Sequence, residues 1–90
     1  MKQTYTDINQ FYNQFVIPFR KALGKQLLQL REDNEFTAYQ VSKRLGGDIL
    51  VSDIHDYESG RYNIISMETL LRLAQVYHKS VRIVFDDTKV

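Results

Sequence analysis

Residues 37–57 read TAYQVSKRLGGDILVSDIHDY, and this stretch decides the fold. Thr37 is a good N-cap for a helix whose small and apolar positions recur every three or four residues up to Leu45. The two glycines at 46–47 tolerate the left-handed conformation that commonly ends a helix. A second short helix then runs to Tyr57. The pattern therefore predicts helix, tight turn, helix, and both helices are too short to be stable without a scaffold.

The flanking segments of the chain can supply that scaffold. Asp7 can cap a first helix, which Pro18 is expected to separate from a second one that runs to about Asp33. Ser66 can cap a last helix, and from Ser80 onward the apolar residues alternate, which predicts a strand. The expected fold class is mainly α, a helix-turn-helix bundle with an extra N-terminal helix and one C-terminal β-strand. The single domain, 1–90, divides into the extra helix 7–17, the helix-turn-helix core 18–79 and the strand 80–85.

Composition and charge narrow the class of protein. Ninety residues make one core, and the absence of cysteine excludes a disulfide framework and a thiolate zinc site. The net charge of +1 gives no overall attraction for nucleic acid, so any basic face must come from local arrangement. No apolar run is long enough for a membrane span, and the first residues lack the apolar stretch of a signal peptide. We therefore expect a cytoplasmic protein with no membrane partner.

No motif in the sequence indicates catalysis. The two glycines at 46–47 are not followed by the Gly-Lys-Ser/Thr of a phosphate-binding loop, and no Ser, His and acidic group can be placed together. Asp53 and Asp56 share a helical face, but His55 projects elsewhere, so metal binding is not expected. We expect no enzyme activity, no catalytic residue, no metal and no cofactor.

Over roughly residues 23 to 85 the chain resembles the phage repressor and Cro-like helix-turn-helix family, and four segments, in order, carry the resemblance. They are LGKQLLQLR at 23–31, TAYQVSKRLG at 37–46, IHDYESGR at 54–61 and METLLRLA at 67–74. The resemblance implies a repressor-like bundle whose recognition helix enters the major groove of double-stranded DNA. It also implies a regulator of transcription that acts as a dimer on an operator. Within that family pattern, Arg31 and Glu58 are expected to form a structural ion pair.

The candidate DNA contacts lie on the helix-turn-helix unit and just after it. The inward positions of its second helix are expected to be Leu50, Val51, Ile54 and Tyr57. Two carboxylates on the outward face oppose phosphate, so phosphate attraction is expected from basic residues on the flanks. The candidates are Tyr39, Gln40, Lys43 and Arg44 on the first helix, Ser52, Asp53, His55 and Asp56 on the second, and Arg61, Tyr62 and Asn63 after it.

The C-terminal strand is expected to contact a second subunit. A lone strand over 80–85 leaves backbone N–H and C=O groups unpaired along its edge. Pairing with its counterpart would satisfy that edge and form a two-fold homodimer. An aromatic stripe near the N-terminus is expected in the core or at a dimer contact, with a base-stacking platform as the lesser alternative. The stripe consists of Phe11, Tyr12, Phe15 and Phe19.

Two other interpretations of the helix-turn-helix unit stay open. The acidic outward face favours an antitoxin-like or phage-encoded protein-interaction module, which retains the fold and binds a protein partner. A generic helical hairpin without a nucleic-acid partner is the other. The basic residues on the flanks of the unit argue against the protein-interaction module, because they suit contact with phosphate. The matching segments before and after the unit argue against the generic hairpin.

Overall fold

The computed structural model describes residues 7–88, and its regular structure is helical. Near the N-terminus, α1 covers Ile8–Phe11, a π-helical segment covers Tyr12–Val16, and α2 covers Ile17–Asp33. These three join into one continuous helix, called the long helix below. Three shorter helices follow, namely α3 at Ala38–Arg44, α4 at Val51–Ser59 and α5 at Met67–Val76. The mainly α class predicted from the sequence is confirmed.

The predicted break at Pro18 is wrong. Phe11, Val16 and Ile17 keep right-handed helical dihedral angles, so the chain passes from α1 into α2 without a turn. Ahead of the proline the helix widens, and the Ile17 N–H donates to the carbonyl of Tyr12, five residues back. Because Pro18 has no N–H and its ring crowds the preceding turn, a locally wider turn lets the helix continue through it.

α3 forms where the sequence predicts it, because side chains cap its N-terminus. The Gln40 N–H donates to Thr37 Oγ1 (3.1 Å), and the Thr37 N–H donates to Gln40 Oε1 (2.8 Å), which makes a capping box. After α3, Gly46 and Gly47 have φ of 77° and 82°, values that glycine adopts without strain. The Gly47 N–H donates to the Ser42 carbonyl (2.9 Å) and closes the helix end. The chain can therefore turn tightly toward α4.

The core lies where the long helix crosses the helix-turn-helix unit. Its most buried large side chains come from different elements, namely Leu27 of α2, Val41 of α3, Ile54 of α4, and Leu73 and Tyr77 of α5 and its C-terminal end. Each short helix thus contributes apolar side chains to one shared core. This burial supplies the stability that helices of seven to ten residues lack on their own.

Gly24 sets the place where α2 crosses the C-terminal end of α4. A Cβ atom added to Gly24 would lie 2.5 Å from the Tyr57 carbonyl oxygen and 2.6 Å from that of Glu58. Backbone atoms cannot give way as a flexible side chain can, so only glycine permits this approach. The close contact brings the two helices together at the C-terminal end of α4.

The C-terminal strand predicted over 80–85 is not seen. Residues 79–88 form neither helix nor strand, and Val81, Ile83 and Phe85 are 37, 75 and 93% exposed. A strand needs a second strand to complete its backbone hydrogen bonds, and residues 7–88 contain no other strand. The alternation therefore marks an apolar side of the segment that has no partner strand within residues 7–88.

The aromatic stripe lies on the outside of the long helix. Phe11, Tyr12 and Phe15 are 41, 41 and 45% exposed, and Phe19 is 68% exposed. The prediction that the stripe joins the core is therefore wrong, because the N-terminal half of the long helix projects from the bundle. The other prediction, a dimer contact, remains a prediction.

Candidate nucleic-acid interface

Two polar side chains hold the turn between α3 and α4. The Ser42 hydroxyl donates to the Ile49 carbonyl (2.6 Å) in a buried hydrogen bond. From α5, Arg72 Nη2 donates to the Leu45 carbonyl (2.9 Å) and lies 3.5 Å from a carboxylate oxygen of Asp48. The turn is tied to α3 on one side and to α5 on the other. The direction of α4 relative to α3 is therefore fixed.

Arg31 and Glu58 contact each other, as the family resemblance implies. The Arg31 Nε–H donates to Glu58 Oε2 (2.6 Å), Nη2 donates to Oε1 (3.0 Å), and Nη1 donates to the Phe36 carbonyl (3.0 Å). Only 15% of the Arg31 side chain and 6% of the Glu58 side chain are exposed. The hydrogen bond to Glu58 raises the pKa of Arg31. The pair therefore ties α2 to the last turn of α4 with charge-assisted hydrogen bonds.

Asp53 starts α4. One of its carboxylate oxygens accepts the Leu50 N–H (3.0 Å), so the side chain caps the N-terminus of the helix. A negative charge in the first turn also complements the helix dipole. The outward position of Asp53 predicted a DNA contact, whereas its hydrogen bond gives it a local role that the helical period alone does not reveal.

Leu50 departs from the predicted inward face of α4. Its side chain is 57% exposed, whereas that of Ile49 just before it is 6% exposed. Leu50 is the N-cap residue and has extended backbone, so the helical period that orders the other side chains does not apply to it. Next to it on α4, Ser52 and His55 are exposed. The side chains of Leu50, Ser52 and His55, one apolar and two polar, thus face outward from the first turns of α4.

Asp56 and His55, also on α4, each lie close to a polar or charged side chain. Asp56 Oδ1 lies 3.8 Å from Arg61 Nη2, and the two side chains are 48 and 73% exposed. His55 Nδ1 lies 3.8 Å from Glu58 Oε1. Exposed ion pairs contribute little to stability. Arg61 can therefore exchange Asp56 for a phosphate at little cost.

Lys43 and Arg44 are exposed on the last turn of α3. Lys43 Nζ lies 5.7 Å from the ring centroid of Tyr39, and the guanidinium carbon of Arg44 lies 4.3 Å from that of Phe36. Such cation–π contacts orient a charge while its N–H groups stay available to other acceptors. Gln40 differs from these residues because its side chain is engaged in the capping box.

Tyr62 and Asn63, in the loop after α4, bind back onto the long helix. The Tyr62 hydroxyl donates to the Arg20 carbonyl (3.4 Å), and its ring stands edge-on to that of Tyr57 with centroids 5.5 Å apart. Arg20 Nη2 in turn donates to the Asn63 carbonyl (2.9 Å). Burial raises the pKa of Tyr62. Arg20, which no sequence pattern indicates, therefore fixes the loop.

These contacts place basic side chains before and after α4. Lys43 and Arg44 precede the turn, and Arg61 follows α4, while Ser52 and His55 lie between them in the chain. Flanking cations can hold phosphates, and small polar groups on a helix can read base edges. The fold and this arrangement define a helix-turn-helix unit with a candidate DNA-binding face.

Within residues 7–88, no group of three or more His, Asp or Glu side chains is arranged to hold a metal ion. No helix in that part of the chain is long and apolar enough to cross a membrane.

Comparison with known families agrees with this architecture. A family model described as a helix-turn-helix domain matches residues 22–81, which is two thirds of the chain. The chain therefore belongs to this helix-turn-helix domain family, and membership supports a DNA-binding regulator. No curated protein and no solved structure matches the chain. The N-terminal half of the long helix lies outside the matched span.

Proposed function

We propose that the protein is a transcriptional regulator of the phage repressor and Cro-like type that binds operator DNA as a dimer. α4 enters the major groove, and α3 and the loop after α4 lie along the phosphate backbone. The observation that carries the proposal is the rigid α3–α4 unit, whose exposed Ser52 and His55 are flanked by basic residues. Such a regulator acts in the cytoplasm as a binding protein without catalytic activity.

The test is the salt dependence of DNA binding. Replacing Lys43, Arg44 and Arg61 together by Ala should weaken binding and lower the slope of log affinity against log salt by about one for each lost phosphate contact. Fluorescence polarisation with DNA from the protein's own promoter and with random DNA measures both quantities. A control variant, Lys25→Ala with Lys79→Ala, removes two exposed positive charges outside the proposed face and outside residues 80–85, and it should keep the wild-type slope.

Two outcomes of this titration contradict the proposal. An unchanged slope in the triple variant means that the docking face is wrong. Complete absence of DNA binding by the wild type at low salt favours the second candidate function, a module that retains the fold and binds a protein. The observation that favours this candidate is the pair of acidic residues on α4, Asp53 and Asp56, since they oppose phosphate.

The dimer is proposed to form through residues 80–85. The support for this contact is the exposed apolar side of the segment, which has no partner within the described chain. Sedimentation equilibrium should find the full chain dimeric at high micromolar concentration and a chain that ends at Lys79 monomeric. A truncated chain that stays fully dimeric would remove the segment from the interface.

A further inference from the structure

A groove runs between the N-terminal half of the long helix and the loop after α4. Its volume is about 290 Å³, with Tyr12, Val16 and Phe19 on one wall and Ile64 and Ile65 on the other. Phe19 and Ile64 are 68 and 80% exposed. Continuous exposed apolar surface of this kind commonly marks an interaction site.

The apolar surface continues along the helix beyond the groove. Ile8, Phe11 and Phe15 are 66, 41 and 45% exposed, and the centroids of the two phenylalanine rings are 5.3 Å apart. Residues 8–19 include no charged side chain, so they lack the lysines and arginines by which a helix binds nucleic acid or a membrane surface. An apolar protein segment is the partner that this chemistry fits.

The C-terminal segment of the same chain has that chemistry. Residues 81–87 read VRIVFDD. Ile83, Val84 and Phe85 are 75, 67 and 93% exposed, and two acidic residues follow them directly. The segment has no regular structure of its own, so it can adopt the shape of a groove without breaking a helix or a sheet.

Arg20 supplies the opposite charge at the groove. Its side chain lines the groove, and its guanidinium carbon lies 5.6 Å from the ring centroid of Tyr12. Within residues 7–88, Arg20 has no carboxylate ion-pair partner, and neither Asp86 nor Asp87 has a cationic one. A segment that places Phe85 in the groove brings its two acidic residues near Arg20.

Chain length argues for a groove in another copy. Asn34 Nδ2 lies 3.5 Å from the Tyr77 carbonyl, so the segment leaves the bundle near the C-terminal end of the long helix. The groove between Arg20 and Tyr12 begins about 21 Å and ends about 33 Å back along that helix. The chain from Tyr77 to Phe85 spans at most about 28 Å when fully extended. Within one chain, Phe85 reaches the near end of the groove, at Phe19 and Arg20, only when the segment is close to fully extended, whereas a second copy can bring its segment to the groove without that constraint.

We propose that the C-terminal segment of one copy docks in the groove of a second copy, with Phe85 against Phe19 and Ile64 and the two acidic residues beside Arg20. The exchange is reciprocal, so one two-fold axis covers both apolar surfaces on both chains. A stable interface buries about 1,600 Å² in total, and the two symmetry-related contacts would share that area. The inference rests on the dimer of the proposed function and names the surface that residues 80–85 contact.

Sedimentation equilibrium of the full chain without DNA tests the arrangement. One variant alters the segment, Ile83→Gln with Phe85→Gln, and another alters the groove, Phe19→Gln with Ile64→Gln. Each variant should weaken the dimer by roughly tenfold or more, and combining them should add little, because both remove the same contact. All four side chains are largely exposed, so circular dichroism should show an unchanged fold.

A control variant on the long helix and a charge-reversal experiment make the test more specific. Gln10→Ala with Gln14→Ala changes the neutral polar side of the same helix and should leave the dimer intact. Arg20→Glu alone, and Asp86→Lys with Asp87→Lys alone, should each weaken the homodimer. Mixing these two variant chains should restore association as a heterodimer, because each segment then meets a groove of opposite charge.

Each other outcome overturns the proposal. If only the segment variant loses the dimer, the two segments pair with each other. If only the groove variant loses it, the two helices pair directly. A wild type that stays monomeric at high micromolar concentration removes both this contact and the proposed dimer. DNA binding is measured separately, so its failure contradicts the regulator and leaves the docking result standing.

Discussion

The Glu58 carboxylate is buried against α2, and Arg31 is its cationic partner. Replacing Arg31 by Met leaves this carboxylate without its partner, and replacing Glu58 by Leu leaves the guanidinium without one. We expect either change to lower the free energy of unfolding by about 3–5 kcal/mol. Urea titration followed by circular dichroism measures this loss. The double variant should lose less than the sum of the two, because neither charge is then left alone.

The exposed pair of Asp56 and Arg61 is the matched control for this prediction. Its side chains are 48 and 73% exposed, so replacing Arg61 by Ala should cost less than about 1 kcal/mol. Equal losses at the exposed and the buried pair would contradict the structural role of Arg31 and Glu58.

A second prediction at the scale of one residue concerns Gly24. Alanine is favoured over glycine in a helix by about 1 kcal/mol, but its Cβ would meet two backbone carbonyl oxygens of α4. We expect Gly24→Ala to lower the free energy of unfolding by about 1–3 kcal/mol, since overpacking outweighs helix propensity. Gln26→Ala, at an exposed position of the same helix, should change stability little. A more stable Gly24→Ala protein would show that the two helices do not approach this closely.

At the scale of the element, Asp53 has two effects that substitution can separate. Its side chain caps α4, and its negative charge opposes phosphate. Asn keeps an oxygen that can accept the Leu50 N–H, and it removes a negative charge from the proposed DNA-binding face. We expect Asp53→Asn to bind DNA more tightly, by roughly threefold to tenfold, because about 1 kcal/mol of repulsion is lost. Fluorescence polarisation measures this change, and Glu32→Gln on α2 serves as the charge control.

The stability of two Asp53 variants completes this prediction. Asp53→Asn should keep nearly the wild-type stability, whereas Asp53→Ala should lose about 0.5–1.5 kcal/mol with its hydrogen bond to the Leu50 N–H. If Asp53→Asn instead weakens binding to the operator, the carboxylate accepts a hydrogen bond from a base, such as cytosine N4.

Helix starts are the part of the elements that the sequence predicts best. Thr37 and Ser66 accept backbone N–H groups at the N-termini of α3 and α5, as predicted, because capping depends on residues three positions apart. Pro18 and Leu50 were predicted wrongly. A proline does not reveal whether the turn before it widens, and the helical period does not extend to an N-cap residue.

At the scale of the whole molecule, stability at alkaline pH depends on Tyr77. Its side chain is 2% exposed, and burial raises its pKa from the ordinary 10 to about 12. The stabilisation by the neutral hydroxyl is therefore complete below pH 10 and is lost as the pH rises from 10 to about 12. We expect the free energy of unfolding to fall in this window.

Tyr77→Phe isolates the contribution of that hydroxyl. The variant cannot ionise at this position, so its stability should fall less steeply over the same pH window. Burial also raises the pKa values of Tyr57 and Tyr62, so part of the fall should remain. Urea titrations at a series of alkaline pH values measure both profiles. Identical profiles for wild type and variant would contradict the buried, neutral hydroxyl.

Sequence periodicity predicts which side of an element is apolar, but it does not tell whether the same chain covers that side. The segment around Ile83 and Phe85 and the helix around Phe11 and Phe15 are both apolar on one side, and both stay exposed. The candidate site has a similar limit. Its positions follow from the helical period and the family resemblance, whereas the contacts of Arg20 depend on a fold that brings distant residues together.

The projecting long helix also affects how the protein moves through solution. The molecule measures 50 by 24 by 20 Å, and its radius of gyration is 15.3 Å, whereas a compact domain of this length has about 12 Å. A single copy therefore experiences more friction than a sphere of the same 10.6 kDa mass. It should leave a gel-filtration column early, at a volume typical of a heavier globular protein. Light scattering gives the mass independently of this shape, so it can tell an elongated monomer from a true pair.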